Sequence, residues 1–137
     1  MGHRSQLTIV LLIAVTLVAC VDIPDSVTAV KDFSPERYAG RWYEVVRSDN
    51  RFERGMDNVT AHYTLGDKGR ITVHNQGYRV DKSRWDDITG KAYPVGDAGE
   101  ARLKVSFFGP FYSGYNVIAL DADYQHALVV GSDLSYV

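Results

Sequence analysis

Seven short runs of period-two alternation between apolar and polar side chains occupy residues 42–131. They lie near 42–48, 59–65, 71–78, 85–93, 101–108, 114–121 and 126–131. Successive side chains of an extended chain point to opposite faces, so each run carries one apolar and one polar face. The connections Gly66-Asp67-Lys68-Gly69, Asp81-Lys82-Ser83, Gly96-Asp97-Ala98-Gly99 and Asp121-Ala122-Asp123 are short and built from residues that tolerate turn geometry. Strands joined this way lie antiparallel, because a parallel pair needs a crossover of roughly a dozen residues or more. The pattern predicts an all-β fold, an antiparallel up-and-down β-barrel.

Alternation also assigns the faces. Ala101, Leu103, Val105 and Phe107 share one side of their run, with Arg102, Lys104 and Ser106 on the other. The same phase turns Ala61 and Tyr63 inward, then Val73 with Ile71, then Ile88, Gly90 and Ala92, and finally Tyr115 and Val117. This inward set mixes small residues with aromatics. A solid core would use bulky aliphatics throughout, whereas small inward residues leave room for a ligand in a barrel of about eight strands. A filled barrel is the competing expectation. The Phe107-Phe108-Gly109-Pro110-Phe111-Tyr112-Ser113-Gly114 connection is aromatic where a loop should be polar. It reads either as a rim that meets an apolar ligand or as a cover over one barrel end.

Ahead of the first run, Ser34-Pro35-Glu36-Arg37 has the form of a helix start. Ser34 is the N-cap, Pro35 takes the first helical position, and Phe33 is placed to pack against Tyr38. Gly40 ends this helix after about one turn, and Trp42, Glu44 and Val46 then share one face by phase.

Residues 1–19 read as a leader. Arg4 precedes an apolar run from Leu7 to Ala19 that has the length of a secretory signal and is too short for a comfortable membrane span. The run ends in Leu17-Val18-Ala19-Cys20, and Cys20 is the only cysteine of the 137 residues. Residues 20–33, with Pro24 and no clear periodicity, suit a tether, leaving 34–137 as the barrel domain. One cysteine excludes an internal disulfide and a thiolate metal cage. Formal charge is −2, or −3 without Arg4, and no basic run marks a nucleic-acid surface. Asn58-Val59-Thr60 has the spacing of a glycosylation site, but a strand reading suits it better.

Taken together, these residues resemble the lipocalins, and more closely their bacterial lipoprotein branch. Leu17-Val18-Ala19-Cys20 is similar to a lipobox, which implies lipidation at Cys20, and Val21 after it implies outer-membrane sorting. Gly40-Arg41-Trp42-Tyr43-Glu44 resembles the first family motif, and Leu120-Asp121 with Tyr124 the second. Phe52-Glu53-Arg54-Gly55, Lys91-Ala92-Tyr93, Leu103 to Phe111 and Tyr115 to Asp121 resemble the bacterial branch. The resemblance implies a lipid-anchored envelope protein on the periplasmic face that binds or transports fatty acids or lysophospholipids, without a cofactor. A structural or stress-related lipoprotein with a filled barrel, or a non-functional truncated product, is the alternative.

The family continues with an eighth strand, an Arg that stacks on the first-strand Trp, and an outer helix, whereas this sequence stops at Ser135-Tyr136-Val137. The expectation is therefore an incomplete barrel with about seven of eight strands. Ten buried methylenes would contribute about 8 kcal/mol before ordering costs, near micromolar affinity. Arg51 and Arg54, after the first run, are candidate head-group contacts or ordinary surface charge. Neither a paired nucleophile and base nor closely spaced metal ligands are evident, and His62 and His74 fall on outward phases, so no enzyme is expected. Open edges of the first and seventh strands would promote association, so the isolated mature chain is expected to be partly molten or self-associating. A sharp monomer peak on size exclusion with cooperative melting would contradict this.

Overall fold

The computed structural model describes residues 21–134, so the leader, Cys20 and residues 135–137 lie outside the described part. A single helical turn, α1 (Pro35–Tyr38), precedes seven strands: β1 (Gly40–Tyr43), β2 (Met56–Leu65), β3 (Ile71–Arg79), β4 (Arg84–Pro94), β5 (Arg102–Phe108), β6 (Phe111–Leu120) and β7 (Ala127–Val130). Each strand pairs antiparallel with its neighbour in sequence, and the sheet runs from β1 to β7. The fold is an all-β meander curled into a half-barrel, as the alternation implies.

Register places the apolar phases on one side. Tyr63 lies opposite Val73, Val73 opposite Gly90, Ile71 opposite Ala92, Ala92 opposite Val105, and Leu103 opposite Tyr115. Their shared face is the concave one. It holds a core of Tyr63, Ile71, Val73, Ala92, Leu103 and Val117, closed at one end by Phe33 and Tyr38.

That closed end is built around α1. The Ser34 hydroxyl accepts from the Arg37 N–H at 3.3 Å, and Pro35 occupies the first turn, where no N–H is needed. Gly40, at φ 109°, turns the chain from helix directly into β1, a conformation that favours glycine. Trp42 then points back under the helix. Its ring stacks on Tyr38 with centroids 4.6 Å apart, and Nε1–H donates to the Tyr38 carbonyl at 2.8 Å. The segment from Leu120 to His126 meets the same corner. The Asp121 carboxylate accepts from the N–H groups of Gln125 and His126, and the Tyr124 hydroxyl accepts from the Ser34 N–H at 3.0 Å. The Arg37 guanidinium lies 4.0 Å from the Tyr124 ring centre, a cation–π contact.

Three features differ from the sequence expectation. First, β1 ends at Tyr43 instead of reaching residue 48. Arg47 curls the chain back by donating to the Glu44 carboxylate and to the carbonyls of Glu53 and Met56. Val46 is 78% exposed as a result and does not share the buried face of Trp42. Second, the aromatic connection is a hairpin. Phe108 pairs with Phe111 across a two-residue Gly109-Pro110 turn, and both phenylalanines stand out in solvent instead of covering a barrel end. Third, the last part of the expected tether is built onto the sheet. Val30 donates its N–H to Val117 and accepts from Ala101, both at 2.9 Å. Further upstream, the Asp22 carbonyl lies against Gly114, beside the fully buried Asn116.

Asn58 sits in β2 at a bulge between Asp57 and Thr60, with φ 52°.

Replacing Trp42 with Ala is expected to cost about 3–5 kcal/mol of unfolding free energy, because both the stack and the buried volume are lost. Trp42→Phe keeps a ring but not the hydrogen bond and should cost about 1 kcal/mol for that bond. Urea denaturation of the two variants measures the difference.

Candidate ligand-binding site

The concave face encloses a cavity of about 60 Å³ lined by Tyr63, Val73, Asn75, Ala92, Leu103, Val105, Phe107 and Tyr115. The structure thus brings together Tyr63, Val73, Ala92, Leu103, Val105, Phe107 and Tyr115 from the candidates that the alternation assigns inward. The other three lie elsewhere on that face. Val117 is fully buried in the core, Ala61 sits between Trp42 and Asn75, and Ile88 lies across from Asn75.

The small residues do not simply create space. A Cβ on Gly90 would fall 2.6 Å from the Phe107 ring and 2.5 Å from the Ser106 carbonyl oxygen. The room that Gly90 leaves is therefore taken by the edge atoms of the Phe107 ring. This is why a set of inward small residues yields so small a cavity.

Three tyrosine hydroxyls form a chain at the floor. Tyr38 and Tyr63 each bond the Tyr115 hydroxyl, at 2.7 and 2.8 Å. Burial pushes the Tyr38 phenol up to about 12, and burial likewise raises Tyr63 and Tyr115. All three therefore stay neutral near pH 7. Two hydrogen bonds use two of three hydroxyl protons, so one donor remains free of the chain. Asn75 brings the complementary group to the same cavity, since its Oδ1 is buried without a hydrogen-bond partner among the described residues.

Toward the mouth, opposite α1, the same face becomes charged. Arg79 and Arg84 face each other across β3 and β4, and Asp86 bonds both at 2.9 Å. The Arg79 guanidinium hydrogen bond holds the Asp86 carboxyl below the ordinary carboxylate range. Asn75, Arg79, Asp86 and Arg84 are absent from the alternation-based candidates, although their signal was present. Continuing the phase of Ile71 and Val73 leads to Asn75, Gly77 and Arg79, and continuing that of Ile88 backward leads to Asp86 and Arg84.

The two loop arginines lie apart from the cavity. Arg54 is paired with Asp49 at 2.8 Å on an exposed surface, and Arg51 lies over the Phe52 ring at 5.1 Å. Glu44 is tied to Arg47, and burial raises its carboxyl despite that bond. On the convex face His62 lies opposite His74, whose Nε2 is 3.0 Å from Asp87. Among the described residues, no group of His, Cys, Asp and Glu is spaced to hold a metal ion.

The Lipocalin-like domain family matches residues 33–137. The chain belongs to the lipocalin family. This lipocalin is 58% identical over 113 residues to the outer membrane lipoprotein Blc of Citrobacter freundii, covering 82% of the chain and 64% of the relative. It is 46% identical over 127 residues to the protein of the same name from Vibrio cholerae, covering 92% of the chain and 74% of the relative. The lipocalin therefore spans less than two thirds of the Citrobacter protein's length. A cockroach allergen, Per a 4, shares its fold with a TM-score of 0.62 at 24% identity, covering 85% of this chain and 73% of that one.

The buried phenols set a pH dependence. Their folded pKa values lie above the ordinary 10.0, so their contribution to stability is complete below pH 10 and is lost as pH rises toward about 12 and beyond. Unfolding free energy is expected to fall across that alkaline interval. Ultraviolet absorbance should show these tyrosines ionising later than the exposed ones.

Proposed function

We propose that this chain is a lipid-anchored lipocalin of the bacterial outer membrane, held at the periplasmic face through Cys20, that binds fatty acids or lysophospholipids. The observation that carries the reading is the cavity on the concave face, apolar on its walls, with tyrosine hydroxyls and Asn75 as isolated polar groups. The names of the Citrobacter and Vibrio relatives support the anchoring and the membrane. In this arrangement the acyl chain lies along Val73, Ala92, Leu103 and Val105, and the anionic head meets Arg79 and Arg84 at the mouth. These cations suit that task better than Arg51 and Arg54, because they stand on the inner face. Binding of this kind requires burial of apolar surface and no chemical step.

A long acyl chain needs more than the space of this conformer. Ligand pockets run to about 300–1,000 Å³, so Phe107 must leave its place against Gly90 to admit one. The same small volume favours the second reading, an envelope lipoprotein whose barrel is structurally filled.

An environment-sensitive fatty-acid probe distinguishes the two. Saturable binding to the folded chain, displaced by lysophospholipid, is expected for the carrier, and its absence would leave the structural reading. Phe107→Ala should strengthen probe binding several-fold, since it removes the ring that fills the cavity.

A further inference from the structure

Exposed apolar side chains are concentrated at one end of this molecule. Among the described residues, eight of the eleven large exposed hydrophobic side chains lie at the mouth, on β1, on the loop after it, around the β3–β4 turn or on the β5–β6 hairpin. Val45, Val46, Phe52, Val80, Phe108 and Phe111 are between 52% and 92% exposed. The loop and the turn form one rim, because the Val80 N–H donates to the Gly55 carbonyl at 3.1 Å and Arg79 reaches the Arg54 carbonyl. Just below the tip of the β5–β6 hairpin, on the convex side, Lys104 and Lys91 lie 4.8 and 6.0 Å from the Tyr112 ring centre. Two bare phenylalanines above a tyrosine flanked by lysines is the order of groups that suits a membrane–water interface.

The docked N-terminal stretch leads to the same place. From Val30 at the α1 end it passes along the convex side of β6 to Asp22, against Gly114. Phe111 is three strand residues beyond Gly114, about 10 Å. Cys20 is two residues before Asp22, a reach of about 7 Å of extended chain.

We infer that the mouth is a membrane-docking surface, with the Phe108/Phe111 hairpin tip and the Val45–Phe52 loop dipping into the bilayer that holds the anchor. The partner is a lipid surface of zwitterionic character. Residues 44–58 and 78–87 together with Lys91 and Lys104 carry eight basic and seven acidic side chains, a near balance that gives the rim little preference for an anionic surface. Docked in this way, the cavity opens onto the bilayer, and an acyl chain passes between the two without exposure to water. The inference rests on the proposed lipid-anchored carrier but is tested apart from it.

The test uses the full chain, reconstituted into phosphatidylcholine vesicles with brominated acyl chains, carrying either Phe111→Trp or Asp67→Trp. Phe111 is exposed at the tip, and Asp67 is exposed in the β2–β3 turn at the α1 end, so both positions accept the change on the surface. After subtraction of the signal from Trp42 and Trp85, quenching of F111W is expected to exceed that of D67W several-fold and to persist in high salt. Equal quenching at the two positions, or none at Phe111, would overturn the docking. Saturable fatty-acid probe binding in the same samples reports separately on the carrier: binding without tip quenching sinks the docking alone, and tip quenching without binding upholds the docking while removing the carrier.

Discussion

Tyr38 is the side chain on which the closed end depends. Its ring lies 4.6 Å from Trp42, 5.2 Å from Phe33 and 5.4 Å from Tyr63, and its hydroxyl bonds Tyr115. One residue of a four-residue helix thus links β1, β2, β6 and the N-terminal stretch. A helix of that length has almost no stability of its own. It persists because an almost wholly buried aromatic ring holds it to the sheet, and because the buried hydroxyl has a partner and so avoids the cost of an unsatisfied polar group. The Trp42 N–H reaching the Tyr38 carbonyl satisfies one of the helix's last carbonyls at the same time.

From that floor the concave face changes character in a fixed order. Along β3 it passes from Ile71 and Val73 to Asn75 and then Arg79, and along β4 in the opposite direction from Ala92 to Asp86 and Arg84. Because antiparallel register places these residues side by side, the two strands together form an apolar wall with a charged lip. An amphiphile lying in such a barrel has one favourable direction, tail inward and anionic head outward, set by the cost of burying a charge. The Arg79–Asp86–Arg84 cluster keeps one cation in excess there.

Much of this was legible in the chain. Seven alternating runs and four polar turns determined the strand count, their order and their faces, because side-chain direction in a strand is a local property of the extended backbone. Ser34, Pro35 and Gly40 likewise marked the helix bounds through backbone chemistry that acts within a few residues. What failed was also physical. Val45 and Val46 extend the β pattern but are pulled out of it by Arg47, whose partners Glu53 and Met56 come from the far side of the loop. Phe111 to Ser113 looked like a loop because aromatic residues broke the alternation, yet the pairing of Phe108 with Phe111 needs only a two-residue turn.

The sequence by itself determined the sheet, its antiparallel order, the inward phase and the family, since each depends on neighbours along the chain. Tertiary structure alone decided how much space those inward residues leave. Gly90 reads as an opening until the Phe107 ring is seen lying against it, a contact between strands whose closeness no local rule can state. It also decided that Asp22 lies beside Gly114 and that the bare hydrophobic side chains gather at one rim. For the stretch Gly40-Arg41-Trp42-Tyr43, the motif could name the strand, but only the fold shows Trp42 stacked on Tyr38, because that contact depends on a helix turning back over the strand it precedes.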